Sequence, residues 1–96
     1  MSGYALTPRA RADLQAIWAY TADRWNVGQA DRYLQQICQA MEFVAIDPRR
    51  GRSCDRIRPG YLRYPAGSHV LFFRQGQGGI VVVRVLHQSM DFERHL

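Results

Sequence analysis

Apolar residues recur at helical spacing through the first half of the chain and change to strand-type runs in the second. From Thr7-Pro8 onward, Ala10, Leu14, Ile17, Trp18 and Trp25, with Thr21 between them, form one stripe with a period near that of an α-helix. Thr can cap the free N–H groups of a first turn, and Pro suits that turn because its missing N–H costs nothing there. Arg9, Arg11, Asp13 and Asp23 fall on the polar side and read as solvated helix surface. Asn26-Val27-Gly28 breaks the pattern. A second stripe, Ala30, Tyr33, Leu34, Ile37, Met41 and Val44, runs to Asp47-Pro48, where the proline disfavours helix for the residue before it. Two amphipathic helices joined by about three residues predict an antiparallel helical hairpin.

Gly3 to Leu6 reads as a short extended start. The segment from Arg49 to Gly60 carries Gly51, Pro59, Gly60 and five arginines, which predicts an exposed loop. Three strand-type runs follow: Tyr61 to Tyr64, His69 to Arg74 and Ile80 to Leu86. The intervening turns, Pro65-Ala66-Gly67-Ser68 and Gln75-Gly76-Gln77-Gly78-Gly79, are short enough to require antiparallel hairpins. Strand alternation puts Val81, Val83 and Val85 on one face, expected against the helices, and Ile80, Val82, Arg84 and Leu86 on the other. The expected fold is α+β: one domain over residues 1–96, with an N-terminal helical hairpin packed on one face of a small, mainly antiparallel sheet of three to four strands. The other face is then apolar with arginine set in it, open for a protein partner unless the tail from His87 to Leu96 folds back over it.

Composition narrows the class. With 96 residues, 47% hydrophobic and 22% charged, the chain has enough apolar material for one globular core and too little length for two. No apolar run is long enough to span a membrane, and no basic segment followed by an apolar one stands at the N-terminus, so a cytoplasmic protein is expected. Cys38, in the helical pattern, reads as core filler, and Cys54 lies in the basic loop; neither sits in a metal-knuckle spacing. His69, His87 and His95 are scattered singly, so no metal and no cofactor are expected. All 13 basic residues are arginine. Up to Pro48 the net charge is −1, and beyond it +6, which points to an anionic partner for one surface.

Candidate chemistry is sparse. Nucleophilic catalysis needs a Ser or Cys with an oriented base, and no such local signature is present. RNA cleavage would require a base, cations for the developing phosphorane charge and an acid; Arg58, Arg63, Arg74 and Arg84 could supply charge and His87 a proton. Tyr61, Tyr64, Phe72 and Phe73 are possible stacking groups for nucleic acid, although strand alternation sends about half of them to the core.

Several segments, in order, carry a family likeness: Leu6-Thr7-Pro8 with Asp13-Leu14 and Ile17-Trp18; Arg24-Trp25 followed by Gln29-Ala30; Ile57-Arg58-Pro59-Gly60-Tyr61; Gly67-Ser68-His69 with Phe73-Arg74; and Val83-Arg84-Val85-Leu86-His87-Gln88 with Met90-Asp91. In this order and spacing the chain resembles the ParE branch of the RelE/ParE toxin superfamily along essentially its whole length. The resemblance implies the toxin half of a type II toxin–antitoxin pair, neutralised by a ParD-like antitoxin whose N-terminal part binds operator DNA and whose C-terminal segment wraps the toxin. The free toxin is then expected to inhibit DNA gyrase and block replication, by binding and not by turnover. The sister branch cleaves messenger RNA on the ribosome and usually relies on several basic residues and a C-terminal tyrosine. Here no lysine is present and no tyrosine follows Tyr64, which favours the gyrase branch. A purely regulatory, non-toxic antitoxin partner is the third reading. The expected partner-binding surface comprises Arg58, Tyr61, Arg63, Arg74, Arg84, His87 and Gln88, with no catalytic residue and no membrane contact.

Overall fold

A computed structural model describes residues 3–96. Its elements are β1 (Gly3–Leu6), α1 (Pro8–Arg24), α2 (Val27–Ile46), a 3₁₀ turn (Pro48–Arg50), β2 (Arg52–Ser53), β3 (Leu62–Ala66), β4 (His69–Gly76), β5 (Gly79–His87) and α3 (Phe92–His95). The predicted helical hairpin is present. Thr7 caps α1, its hydroxyl oxygen accepting from Ala10 N at 3.1 Å. Asn26 caps α2 in the same way, accepting from Gln29 N at 2.7 Å. The expected break at Asn26-Val27-Gly28 is therefore tighter than the sequence suggests: Asn26 is a cap, and Val27 and Gly28 already belong to α2.

The sheet differs from expectation. It has five strands in the order β1-β5-β4-β3-β2, not three to four, and it is mixed. β1 pairs parallel with β5, Leu6 standing opposite Val82, and the remaining pairs are antiparallel. The crossover from β1 to β5 spans most of the chain, so no local pattern announces this pairing. Gly79 stands opposite Gly3 so closely that a Cβ on it would strike the Gly3 backbone. Gly67, at φ +63°, makes the β3–β4 turn in a conformation that L side chains rarely adopt.

The face assignment of β5 is corrected by a bulge. Phe72 stands opposite Arg84 while Phe73 stands opposite Val82, so Val83 is an extra residue on β5. The phase of alternation shifts there. Ile80 and Val82 face the helices before the bulge and Val85 after it, whereas Val83 and Leu86 lie on the opposite side. Val81, Val83 and Val85 therefore do not form one face. The main core joins Ala10, Ile17, Ile37, Met41 and Val44 of the helices to Leu71, Phe73, Ile80, Val82 and Val85 of the sheet. Burial of each large side chain of this set contributes roughly 1.5–3 kcal/mol.

Trp18 and Trp25 leave the predicted core stripe: they are 37% and 67% exposed. Ala10 and Ile17 are the buried residues of α1, with Leu14 and Thr21 half-buried. Trp18 lies one position beyond that stripe and donates its indole N–H to Asp31 at 2.9 Å. Cys38 is only partly buried, whereas Cys54, expected in an exposed loop, is 6% exposed.

Candidate partner-binding surface

The second sheet face is covered, which decides between the two readings open in the sequence. Phe72, Leu86 and Cys54 form its buried centre, and Met90, Phe92 and Leu96 of the tail pack over them with Ile57, Tyr61, Val70 and Val83. The Phe72 and Phe92 rings meet edge-on with centroids 4.8 Å apart. Asp91 caps the short α3, accepting from Glu93 N at 3.2 Å. Two arginines fasten the end of the tail: Arg58 donates to the Leu96 carbonyl at 2.6 Å and Arg84 to the His95 carbonyl at 2.9 Å. Burial beneath this cover pushes the Cys54 thiol up from its ordinary pKa, partly offset by the nearby charge of Arg63.

Arg84 also reaches α1. Its Nε and Nη2 donate to the two carboxylate oxygens of Asp13 at 2.8 and 2.9 Å, a bidentate pair with both side chains largely buried. Asp13 is thus no solvated surface acid. Its Oδ2 also accepts from Val85 N at 2.9 Å. The reason lies in the edge of β5 beyond the end of β1. There Thr7 N donates to the Val82 carbonyl and the Thr7 hydroxyl to the Val83 carbonyl, freed by the bulge. Asp13 takes the next free group, and its hydrogen bond to Arg84 raises the arginine's pKa further. Arg84 therefore ties helix layer, sheet and tail together.

The other expected surface residues separate. Arg58 lies over the Tyr61 ring at 5.8 Å, beside the tail. Arg63 is half-buried on β3, on the same face as Phe72, its register partner. Arg74 is exposed near the far end of β4. His87 stands opposite His69, and both face the helices. Gln88 is exposed past the end of β5, its N–H donating to the Ser68 carbonyl. Arg84 and His87, considered together as nuclease candidates, therefore lie on opposite faces of the sheet.

Sequence reasoning missed a cleft of about 590 Å³ beside the helical hairpin, with Ile17, Tyr20, Trp25, Tyr33, His69 and His87 in its lining. Tyr20 and Trp25 are 66% and 67% exposed. At its floor the Tyr33 hydroxyl accepts from Ser68 N at 2.9 Å and shares a hydrogen bond with His69 Nδ1, 2.6 Å away. Burial, aided by the charge of His87 and opposed by Asp13, lowers the His69 pKa. A partial signal for this cleft was Trp25, a large aromatic standing at the Asn26 break where α1 ends.

These features define a small α+β domain whose basic loop and exposed aromatics suit it to binding other macromolecules. The chain belongs to the ParE toxin family. The family described as ParE toxin of type II toxin-antitoxin system, parDE, matches residues 4–92. Toxin ParE1 of Mycobacterium tuberculosis (strain H37Rv) is 54% identical over 96 residues, covering 99% of this chain and 98% of the relative. Toxin ParE1 of Caulobacter vibrioides is 43% identical, covering 100% and 99% of the two chains. Toxin ParE of Escherichia coli is 30% identical, covering 100% and 94%. Among solved structures, a chain of the "Chromosomal ParDE TA system from P. aeruginosa" superposes with a TM-score of 0.77 at 20% identity, covering 91% of this chain and 96% of that one, a likeness of fold. No helix among the described residues is long and apolar enough to cross a membrane.

Proposed function

We propose that this toxin is held inactive in the cytoplasm by a ParD-like antitoxin and, once released, inhibits DNA gyrase and blocks replication. The observation that carries the reading is membership of the ParE family over nearly the whole chain, at up to 54% identity to toxins of that name. The site geometry supports action by binding. Arg84 is committed to Asp13 and the tail, so it is not free to stabilise charge on a scissile phosphate beside His87. That arrangement counts against the ribosome-dependent nuclease. Of the expected surface residues, Arg58, Tyr61 and Arg84 hold the tail in place. Arg63, Arg74, His87 and Gln88 keep exposed or half-exposed side chains for antitoxin or target. Contact with operator DNA runs through the antitoxin.

The test is pulse incorporation of labelled thymidine and labelled leucine within minutes of inducing the chain without its antitoxin. Thymidine incorporation is expected to fall first while leucine incorporation continues. An earlier fall in leucine incorporation would instead identify translation as the target and revive the nuclease. Growth unaffected by induction would leave the regulatory partner as the function.

A further inference from the structure

The outer edge of the sheet holds a groove of about 360 Å³ lined by Arg50, Arg52, Arg63, Tyr64, Pro65 and Val70. Arg52 and Arg63 stand directly opposite each other on β2 and β3. Like charges in that register repel. The ion pairs among the described residues are Arg49–Asp47 and Arg84–Asp13, so neither arginine of this couple is neutralised by the chain. Arg50 adds a third positive charge to the groove. Its guanidinium is held 3.9 Å over the Phe43 ring and donates to the Phe43 carbonyl at 2.8 Å. β2 is only two residues long, leaving Tyr64 to Ala66 of β3 without an outer strand partner.

The geometry points to an acidic, extended segment of the antitoxin as the occupant of this groove, with carboxylates set between Arg52 and Arg63; this rests on the antitoxin reading above. Charge complementarity selects the acid, since Arg50, Arg52 and Arg63 line the groove with no carboxylate in its lining, the nearest acids beside Arg63, Asp55 and Glu93, lining a separate groove. The apolar walls, Tyr64, Pro65 and Val70, favour a peptide, whose side chains can fill them between the carboxylates. Pro65 has no N–H to donate, so ladder pairing along this edge lacks a donor at that position and side-chain contacts carry more of the binding.

The experiment compares the full chain, Arg52→Gln/Arg63→Gln and Arg9→Gln/Arg11→Gln for binding to the co-expressed ParD-like antitoxin. The last variant removes equal charge from exposed positions on α1. Arg52→Gln/Arg63→Gln is expected to weaken the complex by roughly tenfold or more, and the α1 variant by less than about twofold. The melting temperature of free Arg52→Gln/Arg63→Gln should equal or exceed that of wild type, because a repulsion has been relieved; this separates lost binding from lost folding. Equal weakening by the two variants, or none by either, overturns the groove while leaving the antitoxin reading intact. A wild-type chain that forms no complex overturns both. Arg52- and Arg63-dependent binding of a 20-base-pair DNA duplex by the chain alone would make nucleic acid the occupant and overturn the acidic peptide.

Discussion

Removing the Asp13 carboxylate should unfold this protein more readily than any other single change to a charged residue on α1. Asp13→Ala takes away both partners of the Arg84 fork and the acceptor of Val85 N, which sits on an edge that β1 no longer covers. Arg84 cannot escape the loss by giving up its proton, since a guanidinium remains charged in proteins. Breaking a buried ion pair by removing one member costs roughly 3–5 kcal/mol, and an orphaned backbone N–H adds roughly 1–3. The two side chains keep 13% and 14% exposure, which lets water relieve part of this, so about 3 kcal/mol is the expected total. A domain of this size shifts its melting temperature by about 4–8 °C per kcal/mol, so a fall of about 12–24 °C is expected by circular dichroism. Asp23→Ala, an exposed acid on the same helix, should stay within about 0.5 kcal/mol of wild type. In the double variant Asp13→Ala/Arg84→Met no charge is left unpaired. Its destabilisation should therefore be well below the sum of the two single changes. A fall of less than about 4 °C for Asp13→Ala, or strict additivity in the cycle, would refute the account of Asp13 as the clamp on β5. The same contacts predict that Arg84→Ala is destabilised as well, so a loss of toxicity in that variant is read beside its melting temperature before it is assigned to a binding surface.

His69 and the tail supply two further predictions. Burial lowers the folded-state pKa of His69 below its ordinary 6.5, so as pH falls through that value the unfolded chain takes up a proton before the folded one does. Stability should therefore decline as pH drops below about 6.5 and level off beneath the folded-state pKa, and His69→Gln should flatten that slope in urea titrations at pH 5–7. Phe92→Ala removes the ring that covers Phe72 and should cost about 2 kcal/mol. In a Cys38→Ala background it should also speed thiol labelling of Cys54, which the tail shields; an unchanged labelling rate would mean that the tail is not the shield.

The local features were legible in the sequence because nearest neighbours decide them. The stripe Ala30, Ile37, Met41 and Val44 fixed the buried face of α2, Thr7 marked the cap of α1, and Gly67 marked the β3–β4 turn. The order of motifs also identified the family. The remaining features depend on groups far apart in the chain. Gly3 to Leu6 carries no sign of its parallel partner, because the 72 residues between Leu6 and Gly79 leave no local period. One extra residue at Val83 reversed which valines face the helices, since strand alternation has a period of two and a single insertion inverts it. Asp13 resembled any solvated helix acid until the folded chain brought Arg84 and Val85 against it. The polar-looking tail became a cover because its three apolar side chains, Met90, Phe92 and Leu96, meet a face that alternation alone leaves exposed. Sequence determined the elements and the family; tertiary structure determined which arginines hold the fold together and which keep their charge for a partner, because that depends on where the acids end up.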